Sequence, residues 1–166
     1  MLKESTVAPM RLRPPISAAT LIAMAVEFAV GGRPVSAQTG NISSLRQWQR
    51  DVSRAATAVL AQPSFAGLLP LIPLDEAVHV EAIYFYVGSR AFIDVDNMIK
   101  PILDALKRLV YTDDRHVVDA EVRLLGRRNS SYSVRIRSVT PALVDALMLS
   151  GPFVFLRISA PSGVIP

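Results

Sequence analysis

The sequence contains no cysteine. That absence excludes disulfide bonds, zinc–thiolate sites and cysteine nucleophiles, so a metal ion would have to bind through oxygen or imidazole ligands. It also fits a reducing compartment. Acidic residues number only 14 and histidines only 2, so a stretch in which several such ligands meet is easy to identify.

Several common enzyme signatures are also missing. The sequence has no P-loop, no dinucleotide-binding glycine motif and no Ser-His-Asp arrangement, and it contains no internal repeats or low-complexity segments. Hydrophobic residues make up 51% of the 166 residues and charged residues 19%. This composition is typical of one folded domain with a substantial core and argues against disorder.

The charge balance favours a polyanionic partner. The formal net charge is +4 and the pI is about 9.8, values typical of domains that bind nucleic acid or an anionic membrane. In the stretch 43–62, Arg46, Arg50 and Arg54 recur every four residues. They form either a solvated helix face, balanced by Asp51, or a stripe that contacts phosphates.

The N-terminal part imitates a secretory signal. Basic residues precede an apolar run, but Glu27 interrupts the run, which is too short to span a bilayer. The stretch 26–30 is rich in β-formers and is followed by two glycines, which predicts a strand. We expect residues 1–20 to be a loosely ordered extension; the alternative is an exported protein.

Hydrophobic periodicity predicts helices and strands that together form an α+β domain. The predicted elements are, in chain order, a strand at 26–30, a helix at 43–62, a strand at 78–88, a helix from about Asn97, strands at 117–125 and 132–139, a helix at 140–151 and a strand at 153–159. Asn41 or Ser43 suits the N-cap of the first helix. Pro101 is expected in the first turn of the second helix, where its missing N–H costs least. The strands at 117–125 and 132–139 flank a glycine-containing turn and predict a hairpin.

Carboxylates are concentrated around the second predicted helix. Asp94 and Asp96 precede it, two residues apart, and side chains with that spacing leave an extended segment on the same face. Asp113 and Asp114 follow the helix, and a strand–helix–strand unit can bring both pairs to one edge of a sheet. Such a cluster suits Mg²⁺ or Mn²⁺ with waters and a phosphate. Lys100, one helical turn beyond Asp96, can face the same site and hold a phosphate oxygen or a water.

These residues also have structural interpretations. Asp96 or Asn97 suits a helix N-cap, and Asp113-Asp114 suits a turn. Asp104 can pair with Lys107 or Arg108 on an exposed helix face. The pattern of charges alone therefore leaves the choice between a metal site and ordinary surface roles open.

The whole stretch "DVDNMIKPILDALKRLVYTDDRHVVD" resembles the signature of RusA-type Holliday junction resolvases. That signature has D-x-D-N, a lysine four residues after the second aspartate, D-A-L, an aspartate pair and a hydrophobic strand. The matching residues are Asp94, Asp96, Asn97, Lys100, Asp104-Ala105-Leu106, Asp113, Asp114 and Val117-Val118. The resemblance covers about residues 24–138 and is dense only in this central stretch.

The resemblance implies a particular fold and domain organisation. The fold would be a small mixed β-sheet packed against two main helices, in a nuclease domain over residues 21–138. Residues 139–166 would form an apolar helix–strand extension. This extension either completes the core or packs against another chain, and the first is favoured.

The resemblance also implies a function. The chain would be a cytoplasmic, nucleoid-associated homodimer that cleaves four-way DNA junctions with Mg²⁺ (or Mn²⁺) in recombination and repair, without a membrane partner. Asp94, Asp96, Asp114 and Lys100 would be catalytic, and the three aspartates would bind metal with Asp113 as a weaker ligand. The basic residues expected to contact DNA are Arg46, Arg50, Arg54, Lys107, Arg108, Arg127 and Arg128. The alternatives are a nucleic-acid-binding module without turnover and a related nuclease for other branched DNA, for instance in phage defence.

Overall fold

The computed structural model describes residues 25–89, 91–127 and 139–161. The elements in these ranges are β1 (Val26–Gly31), α1 (Ile42–Leu60), β2 (Val78–Val87), α2 (Val95–Leu106), β3 (Val117–Arg127), α3 (Pro141–Leu147) and β4 (Phe153–Ser159). A four-stranded mixed sheet with these helices confirms the predicted α+β fold. The predicted N-terminal extension and residues 132–138 of the strand predicted at 132–139 lie outside the described residues.

The sheet has the strand order β1-β4-β2-β3. Strand β4 runs antiparallel to both of its neighbours, whereas β2 and β3 are parallel. Val78 pairs with Val117 and Val87 with Arg127, so β2 and β3 start at one edge of the sheet and end at the other. We call these the amino edge and the carboxyl edge; β1 also ends at the carboxyl edge, because it is parallel to β2.

The main core lies between one face of the sheet and the helices α1 and α2. Helix α1 is capped by the Asn41 side chain, which accepts from the Ser44 N–H at 3.0 Å. It buries one face, formed by Trp48, Val52, Ala56 and Leu60. The helix α3 packs on the other face of the sheet over a smaller apolar cluster. No helix in the described part of the chain is both long and apolar enough to cross a bilayer.

Strand β4 is a central strand of the sheet. Residues 153–158 are all buried, and β4 separates β1 from β2. In the described ranges, β1 has β4 as its hydrogen-bonded neighbour, so the first strand depends on the last. Strand β4 therefore completes the core that holds α1 and α2, whereas α3 covers the separate cluster on the other face of the sheet.

A row of alternating charges crosses the face of the sheet that α3 covers. The Arg157 guanidinium bonds Glu27 on β1, at 2.5 Å, and Glu81 on β2, at 3.0 Å. Arg123 on β3 lies 3.8 Å from Glu81 and also pairs with Glu121. Each buried charge thus has an opposite neighbour, which is the condition for placing charges in a low-dielectric interior.

Helix α2 begins at Val95, two residues earlier than predicted. Pro101 therefore lies inside the helix and not in its first turn, and its missing N–H leaves the Asn97 carbonyl without its usual intrahelical donor. The N–H of Ala37, in the loop after β1, donates to that carbonyl at 3.0 Å. This bond satisfies the carbonyl and ties the loop after β1 to the first turn of α2.

The central position of β4 predicts a large effect of truncating its core side chains. We expect Leu156→Ala, at a fully buried position, to lower the free energy of unfolding by about 2–5 kcal/mol. The control Leu149→Ala removes the same atoms from a side chain that is 41% exposed and should cost about 1 kcal/mol or less. Urea unfolding followed by circular dichroism measures both, and equal effects would contradict a central β4.

Candidate functional site

Asp94 and Asp96 lie at the carboxyl edge of the sheet, where α2 begins. Asp94 is the N-cap residue of α2, with extended backbone angles, and its carboxylate makes no capping hydrogen bond. Asp96 lies in the first turn of α2, and both residues are exposed. Two carboxylates at a helix N-terminus are favoured by the helix dipole, and that of Asp94 is not used to cap the helix.

Asp113 and Asp114 lie at the amino edge, between α2 and β3. The Lys107 ammonium lies 3.0 Å from Asp113 and 3.6 Å from Asp114. Its hydrogen bond, together with one from the Arg115 N–H, holds the pKa of Asp113 below its ordinary value. The Oδ1 atom of Asp114 is buried and has no hydrogen-bond partner within the described part of the chain. The two carboxylates therefore lie next to the Lys107 ammonium, and the buried Oδ1 atom of Asp114 is unsatisfied.

Two further side chains, those of Tyr111 and Asp104, lie near the acidic pair at the amino edge. The Tyr111 hydroxyl donates to the Leu103 carbonyl at 2.9 Å. Burial, and after it the carboxylates of Asp114 and Asp104, raises the pKa of Tyr111 above its ordinary value. Tyr111 therefore stays protonated in the neutral range, and Asp104 lies near enough to add to the negative potential of this site.

The structure does not bring the two acidic pairs together within one chain. Because β2 and β3 are parallel, α2 runs back from the carboxyl edge to the amino edge, and its 12 residues separate the pairs by about 18 Å. The expectation that both pairs meet at one edge is therefore wrong for the single chain. The prediction that Asp94 and Asp96 lie on one face of an extended segment is also wrong, since Asp96 is already helical. In residues 25–89, 91–127 and 139–161, no group of three acidic or histidine side chains of one chain is placed to hold a metal ion.

Lys100 occupies the exposed side of α2 between the two pairs. It lies one helical turn beyond Asp96, as the sequence predicts, but its ammonium pairs with Asp104 at 2.5 Å. With Lys107, these residues form a polar stripe along α2 whose charges alternate in sign: Asp96, Lys100, Asp104 and Lys107. We call this the α2 stripe.

The predicted basic face of α1 lies beside α2. Arg46, Arg50 and Arg54 are all exposed, and Arg46 and Arg50 line an open groove of about 390 Å³ between the two helices. Asp104 lies on the opposite wall of that groove. Arg54 contacts Asp51 at 3.4 Å but is 74% exposed, so it remains accessible to a phosphate. The groove thus joins the basic face of α1 to the α2 stripe.

The other predicted DNA contacts differ in their surroundings. Lys107 is engaged with the two carboxylates at the amino edge, and Arg108 is exposed with a left-handed backbone, φ 64°. The Arg127 guanidinium donates to the carbonyls that follow α3, among them that of Leu149 at 2.6 Å, so part of its hydrogen-bonding capacity goes to holding the end of that helix. Arg128 lies outside the described residues.

Sequence reasoning missed two sets of residues. The buried charge row was signalled by single charged residues, Glu27 and Arg157, inside otherwise apolar strands, which predicts buried partners. Phe92, two residues before Asp94, is 85% exposed and has the Arg33 guanidinium 6.0 Å from its ring centroid. In the sequence, the Phe92–Arg33 pair was indicated only by a large aromatic residue in the loop directly before the aspartate motif.

An α+β domain with exposed carboxylates next to a basic helix face has the features of a domain that acts on nucleic acids. Residues 33–137 match the family model described as Endodeoxyribonuclease RusA. The match covers more than half of the 166 residues, and the chain belongs to this endodeoxyribonuclease family. A search of curated proteins found no match. The strands β1 and β4 and the helix α3 lie outside the matched range.

The pairing of Asp113 with Lys107 predicts a pH-dependent contribution to stability. Because the folded-state pKa of Asp113 is lowered from 3.8, this contribution is complete above that value and is lost as the pH falls through the folded-state pKa. The pKa of Lys107 is raised from 10.5, chiefly by the hydrogen bond to Asp113. The contribution is therefore complete below that value and is lost as the pH rises through the folded-state pKa of Lys107.

A double-mutant cycle with Asp113→Asn and Lys107→Met measures this contribution. Urea unfolding should show a favourable coupling free energy at about pH 7 that shrinks at about pH 3, and it should be small because both side chains are partly exposed. The control cycle pairs Lys107→Met with Asp145→Asn, an exposed carboxylate on α3, and should show no coupling. The same coupling at both pH values would be inconsistent with an ionic pair.

Proposed function

We propose that this protein is a Mg²⁺-dependent endonuclease that cleaves four-way DNA junctions as a homodimer, in recombination and repair. The observation that carries the proposal is the position of the D-x-D-N aspartates: Asp94 and Asp96 are exposed at the start of α2, and the Asp94 carboxylate is not used to cap the helix. Membership of the RusA family supports DNA as the substrate. A homodimer suits a four-way junction, because both have two-fold symmetry.

The donor set fits a hard divalent cation. Mg²⁺ prefers carboxylate and water oxygens, and Asp94, Asp96 and Asp114 supply carboxylates, with Asp113 as a further ligand. The unsatisfied buried Oδ1 atom of Asp114 is an acceptor that a bound cation or its water would satisfy. When bound, Mg²⁺ neutralises charge on the phosphodiester and lowers the pKa of a coordinated water.

We further propose that the two acidic pairs meet across the dimer interface. In a two-fold dimer, each contact between two positions occurs twice with the chains exchanged. Two α2 helices packed antiparallel would bring Asp94 and Asp96 of one subunit next to Asp113 and Asp114 of the partner subunit, at both ends of the helix pair. The separation of about 18 Å within one chain then becomes the spacing between two composite sites.

The charges of the α2 stripe support this packing. Its order along the helix is Asp96, Lys100, Asp104 and Lys107, so reversing the direction of a second copy places a positive residue opposite each negative one. Asp96 would face Lys107 of the partner subunit, and Lys100 would face Asp104. Complementary charges favour this arrangement over a parallel one, in which like charges would meet.

Side chains of the protein itself would bind the DNA backbone and stabilise negative charge on the phosphodiester. Arg46, Arg50 and Arg54 would hold the DNA backbone, and this contribution weakens steeply with added salt. Lys100, released from Asp104 by a bound phosphate, would stabilise negative charge that develops on the phosphodiester oxygens. Asp94 and Asp96 would orient the attacking water.

The alternative function is a junction-binding module without turnover. The observation that favours it is the absence of a three-carboxylate cluster within the described part of a single chain. Cleavage assays separate the two functions, because the module would bind junctions without cutting them in either Mg²⁺ or Mn²⁺.

We expect nicking of a synthetic four-way junction in Mg²⁺, more slowly for a flap and least for linear duplex of the same sequence. Asp96→Asn should abolish cleavage while binding, measured by gel shift, is retained, because the variant keeps the basic face of α1. Asp145→Asn, which removes an exposed carboxylate from α3, is the matched control and should cleave like the wild type. Equal cleavage of flaps and junctions would support a broader nuclease of branched DNA.

Composite sites predict that two inactive variants restore each other. When Asp96→Asn and Asp114→Asn are mixed and allowed to exchange subunits, each heterodimer contains one intact site and one doubly altered site. We expect nicking of one strand to return, without paired cuts. Mixing Asp96→Asn with Asp94→Asn, which alter the same half of the site, leaves no intact site and should stay inactive. If the first mixture also stays inactive although heterodimers form, the composite site is wrong.

A further inference from the structure

Phe92 is the most exposed large hydrophobic side chain in the described part of the protein, at 85%. It lies in the loop between β2 and α2, two residues before Asp94, and Val95, three residues further along the chain, is 46% exposed. Covering a phenylalanine ring removes apolar surface from water, which is favourable. A flat ligand that covers Phe92 would therefore gain affinity directly next to the D-x-D-N aspartates.

Arg33 gives this apolar position a cationic neighbour. Its guanidinium lies 6.0 Å from the centroid of the Phe92 ring, within the range of a cation–π contact. Gly32, whose φ of +104° suits glycine, follows β1 directly, so Arg33 lies just beyond the end of β1 at the carboxyl edge of the sheet. Arg33 is also close to Tyr84, since its charge opposes the rise that burial causes in the pKa of Tyr84. The Arg33 side chain is thus directed toward the loop that carries Phe92.

We propose that Phe92 is a stacking platform for an unpaired nucleobase at the branch point of a DNA junction, with Arg33 contacting the adjacent phosphate. The inference rests on the proposed function and adds how the branch point is recognised. Stacking on an aromatic ring requires a base whose face is free, which branch points offer and regular duplex does not. Phe92 would therefore discriminate junctions from duplex without reading the sequence.

A nucleobase explains the surroundings better than an apolar protein partner does. An apolar protein surface over Phe92 would also cover Arg33 and Asp94 and would remove both charges from water without supplying partners. A nucleotide places its flat base on the ring and its phosphate next to Arg33, while the aspartates stay solvated or bind metal. The Phe92 ring thus matches the base, the Arg33 guanidinium matches the phosphate, and the aspartates match the metal ion.

The test uses 2-aminopurine, a fluorescent base, at the branch point of a four-way junction. The Asp96→Asn protein serves as the background, so that binding is measured without cleavage. Binding should quench the fluorescence, and adding Phe92→Ala should abolish the quenching and weaken junction affinity about tenfold. Phe92→Trp should keep both. Leu69→Ala, which truncates an exposed leucine in the segment between α1 and β2, should behave like the background protein.

The salt dependence and the substrate provide further readouts. Phe92→Ala should leave the slope of affinity against salt concentration unchanged, because the ring is uncharged, whereas Arg33→Gln should reduce the slope by about one. Neither the Phe92 nor the Leu69 substitution should alter affinity for linear duplex. Thermal unfolding identifies any variant that is misfolded.

Two results would overturn the inference. One is unchanged quenching and affinity in Phe92→Ala. The other is loss of the dimer in Phe92→Ala, seen by sedimentation, which would assign Phe92 to the subunit interface. The fluorescence experiment requires only binding, so it gives a result even if the wild type cleaves no branched DNA. Absence of cleavage would instead contradict the proposed nuclease function.

Discussion

The parallel pairing of β2 with β3 is the constraint on which the arrangement of the site depends. Parallel neighbours can be joined only by a connection that returns to the starting edge of the sheet, and here α2 is that connection. Whatever precedes α2 must lie at one edge and whatever follows it at the other. Asp94 and Asp113 are therefore apart in the chain's own structure, although few residues separate them in sequence.

Because β2 and β3 are parallel, the exposed surface of α2 connects the two acidic pairs. The helix spans the distance between the two acidic pairs, and the α2 stripe carries charges of alternating sign along that path. A helix with this pattern is complementary to a reversed copy of itself, which is the relation that two-fold symmetry imposes. In the dimer that we propose, the separation of the acidic pairs within one subunit would be the spacing between two composite sites.

The sheet that supports α2 is held together by elements far apart in sequence. Strand β4 lies between β1 and β2, and Arg157, near its end, links glutamates on both neighbours. Removing one member of such a buried network would leave an uncompensated charge and destabilise the sheet. The carboxyl edge, where Phe92 and Asp94 lie, therefore depends on strands outside the range that matches the RusA family.

The sequence by itself determined most of the elements and the family. Periodicity placed β1, α1, β2 and β4 within a few residues of their observed ends, because the pattern of buried positions is local. The aspartate motif identified the family and the residues proposed for catalysis, since their types and order are sequence properties. The start of α2 was less well predicted, because the proline rule on which it relied neglects a donor from another part of the chain, the Ala37 N–H.

Only the tertiary structure decided which of these residues lie together. The register of β2 with β3, the insertion of β4 and the pairing of Glu27 with Arg157 are long-range relations, and no local pattern specifies them. The tertiary structure separated the acidic pairs, directed Lys107 to Asp113 and placed Arg33 over Phe92. The sequence specifies the type of each side chain, but the distance between two side chains depends on how the whole chain packs.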